Sequence, residues 1–206
     1  MKLHYMPTMN PRKVCAAARY LGSPLEYVRI DVERGELKAP QYLALNPNGR
    51  APVLQKDDGT TLWESAAIMA YLALQAKRSD FWPTDDPERQ VEVLRWISWD
   101  LCEWLQLTGA FYFEHYIKGL FGMGEPDRAA LAEKVEPLHS AARVLDAHLA
   151  GKQFLTGNTP TIADFCTGVL LPQQREIELP LGEFRNIQRW HERLMEIEAW
   201  RNPWPE

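Results

Sequence analysis

The sequence predicts a small mixed α/β domain followed by an all-α domain. Over the first eighty residues the hydrophobic period changes several times, which is typical of short alternating strands and helices. The remainder keeps a helical period without strand-like alternation. Between the two parts, residues 78–87 carry Pro83 and Pro87 among polar side chains, a composition typical of an interdomain linker. We therefore expect domains at 1–77 and 88–206, joined by this linker.

The first part of the chain predicts a strand–helix–strand unit. Lys2–Tyr5 reads as a short strand, and Asn10 before Pro11 is a helix-start signal, with Asn10 as the N-cap. The helix should end at Gly22, where a positive φ costs little. Leu25–Val32 alternates and is rich in β-branched and aromatic residues, so a second strand follows. Such a unit implies a parallel pair with a right-handed crossover.

A hairpin and a helix complete the α/β domain. After a helical turn near residues 42–45, strands at Val53–Gln55 and Thr61–Trp63 flank Asp57-Asp58-Gly59, which is a strong hairpin signal. Ser65 is placed to cap a helix running to about Ala76. The order βαβαββα matches the thioredoxin fold.

The second domain is predicted to consist of helices only. A long helix over Glu88–Lys118 carries apolar residues on two neighbouring faces and should therefore be buried against two neighbours. Further helices are expected at Arg128–Leu149, Ile162–Leu171 and Asn186–Glu198. Thr161 and Asp164 form a capping-box pattern before the third of these four helices, to which we assign stability, worth ~0.5 to 2 kcal/mol.

The composition excludes several classes of protein. The 206 residues are 46% hydrophobic and 25% charged, as in ordinary soluble domains. With 23 Lys+Arg against 28 Asp+Glu, the net charge of −5 argues against nucleic acid or an anionic membrane as a partner. The longest apolar run, Ala66–Leu74, is far shorter than the ~20 residues of a membrane helix, and no secretory signal opens the sequence. The expected location is the cytoplasm.

The three cysteines give no sign of a disulfide framework or a metal site. Cys15, Cys102 and Cys166 are odd in number, far apart and without CxxC or Cys/His spacing. We expect all three to be reduced core residues, and no metal.

Four local patterns, in order, resemble the cytosolic glutathione transferase family. They are LHYMPTMNPRKV, NPNGRAPVL, LWESAAIMAYL and GNTPTIADF. The resemblance covers nearly the whole chain and is greatest to the bacterial nu-type branch, because of the T-x-N-x-x-K pattern from Thr8 to Lys13. It implies a thioredoxin-like domain that binds glutathione, a helical domain that supplies the second-substrate pocket, and a homodimer.

The resemblance implies that Thr8 and Asn10 face the glutathione sulfur. Lowering a thiol pKa of ~8.5 by ~2 units takes ~2.7 kcal/mol, which one or two hydrogen bonds to the thiolate can supply. Tyr5 is the rival donor, as in tyrosine-type branches, although it shares a strand face with Leu3 and packing is favoured for it. Thr8 alone would read as a solvated turn hydroxyl, and Asn10 as an N-cap that still has a free amide group.

Further residues are assigned to glutathione on the same resemblance. Glu64 offers a carboxylate to an ammonium while Ser65 opens a helix whose free N–H groups hold an anion, which suits the γ-glutamyl zwitterion. Ala51-Pro52 matches the place where the family has a cis proline and a main-chain bond to the cysteinyl residue. Lys38 is the candidate for the glycyl carboxylate.

Two other sets of residues read less clearly. Arg50 is a weaker candidate than Lys38 for the glycyl carboxylate. Arg12 and Lys13 lie in the first turn of a helix, where cations oppose the dipole; this hints at a nearby anion, although a solvated face is the default reading.

An aromatic cluster ends the long helix. Phe111, Tyr112 and His115 are the candidates for lining the second-substrate pocket, with burial in the core or a dimer interface as the competing reading.

The predicted function is that of a cytoplasmic, homodimeric glutathione S-transferase acting in detoxification. It would stabilise the thiolate of its co-substrate glutathione and transfer it to small electrophiles. One alternative is a glutathione-dependent reductase of disulfides or peroxides on the same fold. The other is a binding scaffold that has this fold and no turnover. The identity of the electrophile cannot be read from the sequence.

Overall fold

The computed structural model describes residues 1–205, which form two compact units. The first unit comprises Met1–Pro83 together with the end of the chain from Ile197, and the second comprises Thr84–Glu196. Strands and helices of the first unit are β1 (Lys2–Tyr5), α1 (Met9–Tyr20), β2 (Glu26–Arg29), a 3-10 turn (Glu36–Lys38), α2 (Pro40–Leu43), β3 (Val53–Gln55), β4 (Thr61–Trp63) and α3 (Ser65–Gln75).

The first unit is built on a four-stranded mixed sheet in the order β2-β1-β3-β4. β1 pairs with β2 in parallel, and β3 pairs antiparallel with both β1 and β4. Leu3 of β1 lies opposite Leu54 of β3, and both side chains are fully buried. The thioredoxin-like order of elements predicted from the sequence is confirmed.

Helix α1 begins at Met9, two residues before the predicted first helical residue, Pro11. Its N-cap is Thr8, whose carbonyl accepts from the Arg12 N–H at 2.9 Å, so Asn10 is the second helical residue and its prediction as the N-cap is wrong. Pro11 is still tolerated, because the N–H groups of the first turn have no helical partner in any case. At the other end, Gly22 adopts φ +65° and the Ser23 N–H donates to the Ala18 carbonyl, as the sequence predicts.

The end of the chain packs on the first unit and not, as the sequence reading had it, within the helical domain. A last helix, α10, spans Glu198–Arg201 and places Trp200 fully buried against α1. Arg12 donates from Nη2 to the Trp200 carbonyl at 2.6 Å, and its guanidinium lies 4.6 Å above the indole. Arg12 and Lys13 are therefore buried, 7% and 1% exposed, and their expected solvated face is wrong. The tryptophan supplies the apolar cover that the helix pattern alone does not reveal.

The second unit is helical, as predicted. It contains α4 (Pro87–Trp99), α5 (Leu105–Tyr112), α6 (Lys118–Leu120), α7 (Arg128–Leu149), α8 (Ile162–Thr167), a 3-10 turn (Leu171–Gln173) and α9 (Arg185–Glu196). Asp86 caps α4 by accepting from the Arg89 N–H at 3.0 Å. Helix α8 ends four residues before the predicted Leu171, and the 3-10 turn takes up that position.

The predicted long helix is continuous but contains two wide turns that the sequence did not indicate. π-Helical turns at Asp100–Trp104 and Phe113–Ile117 separate α4, α5 and α6. Each π turn holds an extra residue per turn and so rotates the following face.

The two apolar faces of this long helix have different surroundings. Val93, Ile97 and Trp104 are buried, whereas Val91, Leu94 and Leu101 are 62%, 47% and 48% exposed. Within the single chain, only one of the two faces is buried against a neighbour.

The capping box of α8 is confirmed and is part of a larger buried network. Asp164 is fully buried and accepts from the Thr161 N–H at 2.8 Å and the Thr161 hydroxyl at 3.0 Å. It also accepts from the Leu155 N–H at 2.9 Å and the Trp190 indole at 3.0 Å. Burial raises the pKa of this carboxyl, while its four donors oppose that effect.

No helix of the described residues is long and apolar enough to cross a membrane.

Candidate functional site

A small cleft in the first unit brings together side chains from four separate segments of the chain. Its enclosed part measures about 60 Å³. The lining residues are Asn10, Asn46, Arg50, Ala51, Pro52, Glu64 and Ser65. Six of these seven, all except Asn46, were named as candidate site residues from the sequence, with Arg50 as the weaker candidate for the glycyl carboxylate, although up to 55 positions separate them along the chain. The tertiary structure thus places one proposed thiol donor beside the proposed peptide-binding residues.

The Ala51-Pro52 peptide is cis, and the carbonyl of the preceding residue, Arg50, accepts two hydrogen bonds. The carbonyl of Arg50 accepts from the Tyr42 hydroxyl at 2.9 Å and from Asn46 Nδ2 at 2.7 Å. Strand β3 begins at Val53, so the peptide of Ala51 lies outside the sheet ladder. These contacts fix the backbone of Ala51 at the cleft, with its main-chain groups available to another peptide.

Asn46 is a site residue that the sequence analysis missed. It is 2% exposed, and besides donating to Arg50 it accepts from the Asn48 N–H at 3.0 Å and from Asn48 Nδ2 at 2.9 Å. Asparagine that bonds to the backbone two residues on is a turn former, and the run Asn46-Pro47-Asn48-Gly49 has the composition of a turn. That signal predicts a turn, but only the fold shows that the turn supports Arg50 and Ala51.

Lys38 lies outside the lining of the cleft but beside the same turn. Its Nζ is 3.4 Å from where a Cβ on Gly49 would stand, and Gly49 is the residue before Arg50 in this turn. The Lys38 side chain is exposed, as is Arg50. Both cations are therefore free to meet a carboxylate from solution on this side of the cleft.

The start of α3 presents a carboxylate and free N–H groups together. Glu64 is the N-cap, with φ +71° and ψ 117°, so Ser65 is the first helical residue and its prediction as the N-cap is wrong. The first helical bond runs from the Ile68 N–H to the Glu64 carbonyl at 3.0 Å, which leaves the N–H groups of residues 65–67 outside the ladder. A non-glycine residue at such a φ is strained, and strain of this kind is concentrated at functional sites.

The three candidate thiol donors have different surroundings. Asn10 lines the cleft, and because it is not the N-cap its amide is not used for capping. Thr8 is the N-cap but makes no side-chain cap bond, so within residues 1–205 its hydroxyl is not used for capping and can donate to another acceptor. Tyr5 stacks on Trp204 at 6.1 Å between centroids and meets Tyr27 edge-on at 6.1 Å, and burial raises the pKa of its hydroxyl. The surroundings of Tyr5 are those of a packed aromatic residue.

Two of the three candidates for the second-substrate pocket are core residues. Phe111 and Tyr112 are 4% and 2% exposed, and a ring with so little surface has nothing to offer a substrate. Their assignment to an open pocket is wrong; their rings fill the helical core because α5 packs on α7. His115 is half-buried in the second π turn, and its Nε2 has no hydrogen-bond partner among the described residues. The assignment of His115 to the second-substrate pocket remains a prediction.

The cysteines offer no catalytic thiol at the cleft. Cys15 and Cys166 are buried, and burial raises the pKa of Cys15 to about 12. Cys102 is exposed, so its prediction as a core residue is wrong: it lies in the first π turn, on the face of the long helix that the chain leaves open. Among residues 1–205, no three His, Cys, Asp or Glu side chains cluster closely enough to hold a metal ion.

Comparisons with known proteins give one consistent result. Residues 1–74 match the family described as "Glutathione S-transferase, N-terminal domain", and residues 104–198 match its C-terminal domain. Glutathione S-transferase GstB of Escherichia coli K12 is 29% identical over 193 residues, which are 92% of this chain and 90% of that protein. Glutathione S-transferase 3 of Zea mays is 32% identical over 175 residues, 84% of this chain and 77% of that protein.

Solved structures of similar proteins agree in fold over nearly the whole chain. Glutathione transferase F7 from Populus trichocarpa superposes with a TM-score of 0.87 at 25% identity, covering 98% of this chain and 96% of the other. Glutathione S-transferase-I bound with lactoylglutathione also gives a TM-score of 0.87 at 25% identity, covering 98% and 97%.

Proposed function

Because this chain belongs to the glutathione S-transferase family, we propose that it binds glutathione in the cleft of the first unit and transfers the thiolate to small electrophiles. The observation that carries the proposal is the convergence of Asn10, Ala51, Glu64 and Ser65 on one cleft. Each of these residues supplies a group that a different part of the tripeptide needs. The finer branch we propose is the nu-like one, on the Thr8 and Asn10 pattern.

The binding mode follows from the charges of glutathione. Its γ-glutamyl end carries an ammonium and a carboxylate, which suit the Glu64 carboxylate and the free N–H groups that open α3. The main chain of Ala51 pairs with the cysteinyl residue, and the glycyl carboxylate reaches Lys38. The tripeptide then extends across the cleft with its thiol near the start of α1.

The chemistry needs a thiolate and an electrophile, and the chain supplies hydrogen-bond donors for the thiolate. The Thr8 hydroxyl and the Asn10 amide donate to the sulfur, so the thiol loses its proton to water at a lower pH. The sulfur then attacks an electrophilic carbon. The carbon–sulfur bond forms as the leaving group departs with the electron pair, or, in an addition, as the substrate's π electrons take up a proton.

The first experiment is a calorimetric titration of the protein with reduced glutathione and, separately, with glutathione disulfide. We expect saturable binding of reduced glutathione, and conjugation of an activated aryl chloride followed by absorbance. A Glu64→Ala, Ser65→Ala double variant should lose most of the binding. The matched control is Glu33→Ala, which removes an exposed carboxylate of the same unit outside the cleft.

Two other outcomes would favour other functions. Tighter binding of the disulfide, with reduction of a small disulfide in place of conjugation, would support a glutathione-dependent reductase. Binding without either turnover would support a scaffold that has kept the site and lost the chemistry. Absence of binding by either ligand would reject the proposal.

We also propose that the chain forms a homodimer through the open face of its long helix. Val91, Leu94 and Leu101 follow one another along this face and are about half exposed or more. A second copy would bury this stripe, which is the second neighbour that the sequence pattern calls for. The cytoplasm remains the proposed location, since an odd number of widely spaced cysteines argues against the disulfide framework of an oxidising compartment.

A further inference from the structure

The second unit contains a cavity that the proposed function does not use. Its volume is about 570 Å³, within the range of ~300 to 1,000 Å³ that is usual for small-molecule sites. Three segments form it: the first turns of α4, the end of α7 with the residues that follow, and the loop that leads to α8. All the lining residues belong to the second unit.

The loop before α8 is a fixed wall of this cavity. The Leu155 N–H donates to the Asp164 carboxylate at 2.9 Å, and the Thr156 hydroxyl donates to the hydroxyl of Thr161 at 3.4 Å. Both contacts tie the loop to the buried start of α8. The wall is therefore formed before any ligand arrives, which reduces the ordering cost of binding.

Lys152 brings a positive charge to the cavity, and His148 holds it there. His148 Nε2 lies 2.8 Å from the Leu155 carbonyl, and the Lys152 ammonium lies 3.2 Å from each nitrogen of the ring. Because a carbonyl only accepts, Nε2 carries the proton and Lys152 donates to Nδ1. Burial lowers the pKa of His148, which keeps the ring neutral at pH 7. Lys152 forms no ion pair with a carboxylate of residues 1–205.

Arg89 is the second cation of the cavity and lies against the loop. Its Nη2 donates to the Thr159 hydroxyl at 3.1 Å and is 3.8 Å from where a Cβ on Gly157 would stand. With glycine at that position, no side chain separates the guanidinium from the loop backbone. The backbone N–H groups of Thr156 and Asn158, which also line the cavity, form no hydrogen bond within the described residues. Cations and backbone donors on one side of a cavity suit a carboxylate.

Helix α4 brings a negative charge to the same cavity. Two of its acidic lining residues are already engaged: Asp86 caps the helix by accepting from a backbone N–H at 3.0 Å, and Glu92 pairs with an arginine one turn later. Glu88 is exposed, and its carboxylate forms no ion pair within residues 1–205. The carboxylate of Glu88 and the ammonium of Lys152 thus border one cavity without neutralising each other.

We propose that this cavity is a second binding site, which takes a short peptide as its zwitterion: the peptide carboxylate binds Lys152 and Arg89, and its ammonium binds Glu88. A simple anion would lie beside the Glu88 carboxylate, and a simple cation beside two positive side chains. A zwitterion instead pairs with both sides. The site is separate from the glutathione cleft, which is lined by residues of the first unit.

The probe for this site is triglycine, which has both terminal charges and no side chains. It is titrated into the Glu64→Ala, Ser65→Ala variant, so that the cleft of the first unit does not contribute, and binding is followed by calorimetry and by backbone amide chemical shifts. We expect saturable binding with shifts at Gly151 and Gly157. N-acetyltriglycine lacks the ammonium and triglycinamide lacks the carboxylate, and each should bind about tenfold more weakly because one charged contact is lost.

Substitutions identify which side chain meets which end of the peptide. Added to the same variant, Glu88→Gln should weaken triglycine about tenfold but leave N-acetyltriglycine unchanged, and Lys152→Gln should weaken triglycine but leave triglycinamide unchanged. Both side chains are exposed, so neither change should lower the melting temperature. The matched controls are Glu133→Gln and Lys134→Gln, which remove the same charges from exposed positions of α7 outside the cavity and should leave binding as it was.

Three results would overturn the inference. One is the absence of saturable triglycine binding. Another is N-acetyltriglycine or triglycinamide binding as tightly as triglycine, because the cavity would then be a simple anion or cation site. The third is an equal loss in the control variants, which would assign the effect to the overall charge of the protein. None of these results bears on glutathione binding in the first unit.

Discussion

At the residue scale, the thiol site offers three candidate donors with different surroundings. Asn10 lines the cleft, Thr8 has a hydroxyl that is not used for capping, one turn before Arg12, and Tyr5 is packed between aromatic rings. The structure therefore favours the first two for contact with a ligand.

Replacing the donors should show which of them meets the sulfur. Thr8→Ala and Asn10→Ala each remove a hydrogen bond to the thiolate, and we expect the acidic limb of kcat/KM against pH to move to higher pH by about one unit in each. Tyr5→Phe, which keeps the ring packing, should leave the profile in place. If instead Tyr5→Phe abolishes turnover while the two alanine variants behave as wild type, the assignment of the donor is wrong.

Replacing Glu64 by glycine should weaken glutathione binding without lowering the melting temperature. At φ +71° a glycine is unstrained where glutamate is not, so Glu64→Gly should melt at the same temperature or higher, yet bind glutathione at least tenfold more weakly because the ammonium loses its carboxylate. Calorimetric titration and thermal melting measure the two effects. The matched control is Glu178→Gly in the second unit, also at positive φ (52°), which should leave glutathione binding unchanged. A variant at Glu64 that binds normally would remove this residue from the site.

Cysteine reactivity should follow burial. Cys102 is exposed, whereas Cys15 and Cys166 are buried and the pKa of Cys15 is raised to about 12. Since only a thiolate is alkylated, one equivalent of iodoacetamide should react with the native protein at pH 8, at Cys102. Mass spectrometry of the digested protein identifies the site, and Cys102→Ser is the control that should abolish labelling. Labelling of Cys15 without denaturant would contradict the burial of its side chain in the first unit.

At the element scale, the capping box of α8 shows how a local motif becomes part of the core. The sequence pattern predicts two hydrogen bonds between Thr161 and Asp164. In the structure the same carboxylate also accepts from the Leu155 N–H and the Trp190 indole, which come from a loop and from α9. Loss of the carboxylate therefore leaves buried donors unpaired in three elements.

We expect Asp164→Ala to destabilise the protein by about 3 kcal/mol or more, above the ~0.5 to 2 kcal/mol of an ordinary cap, because each unpaired buried donor adds ~1 to 3 kcal/mol. Urea denaturation followed by tryptophan fluorescence measures the change. Asp127→Ala is the matched control: it removes an exposed cap of α7 that accepts from the Ala129 and Ala130 N–H groups, and should cost about 1 kcal/mol. Equal losses in the two variants would show that the network around Asp164 adds nothing.

At the scale of the whole molecule, the open face of the long helix determines the expected assembly. Val91, Leu94 and Leu101 expose apolar surface along one side of α4 and the π turn that follows it. Apolar residues repeated along one helix face are the signature of a surface that packs against something.

Leu94→Glu places a charge in the middle of this stripe and should convert a dimer into a monomer. Sedimentation equilibrium should give twice the chain mass of 23.7 kDa for the wild type and a single chain mass for the variant. The control is Val144→Glu, which alters an equally exposed apolar residue on α7 and should leave the dimer intact. A wild-type protein that sediments as a monomer at micromolar concentration would reject the homodimer.

The sequence by itself determined the elements that local chemistry specifies. The hairpin at Asp57-Asp58-Gly59, the stop at Gly22 and the capping box from Thr161 to Asp164 all came from residues whose turn or cap preference is intrinsic. The family resemblance came from four such local patterns in order, and it carried the choice of Glu64 and Ser65. The predicted N-caps were wrong by two residues at Asn10 and by one residue at Ser65. The first residue of a helix depends on which backbone carbonyl accepts the first helical hydrogen bond.

Only the tertiary structure decided which residues from distant segments meet. Asn46 was invisible as a site residue, because its role depends on a carbonyl four residues away that supports a cis peptide. Arg12 was predicted to be a solvated cation, but in the structure Trp200, 188 positions later in the sequence, covers it. Phe111, which was expected to line a pocket, is buried, and Cys102, which was expected in the core, is exposed. The physical reason is the same in each case: periodicity reports that a face is apolar or charged, whereas burial depends on what the rest of the chain packs against it.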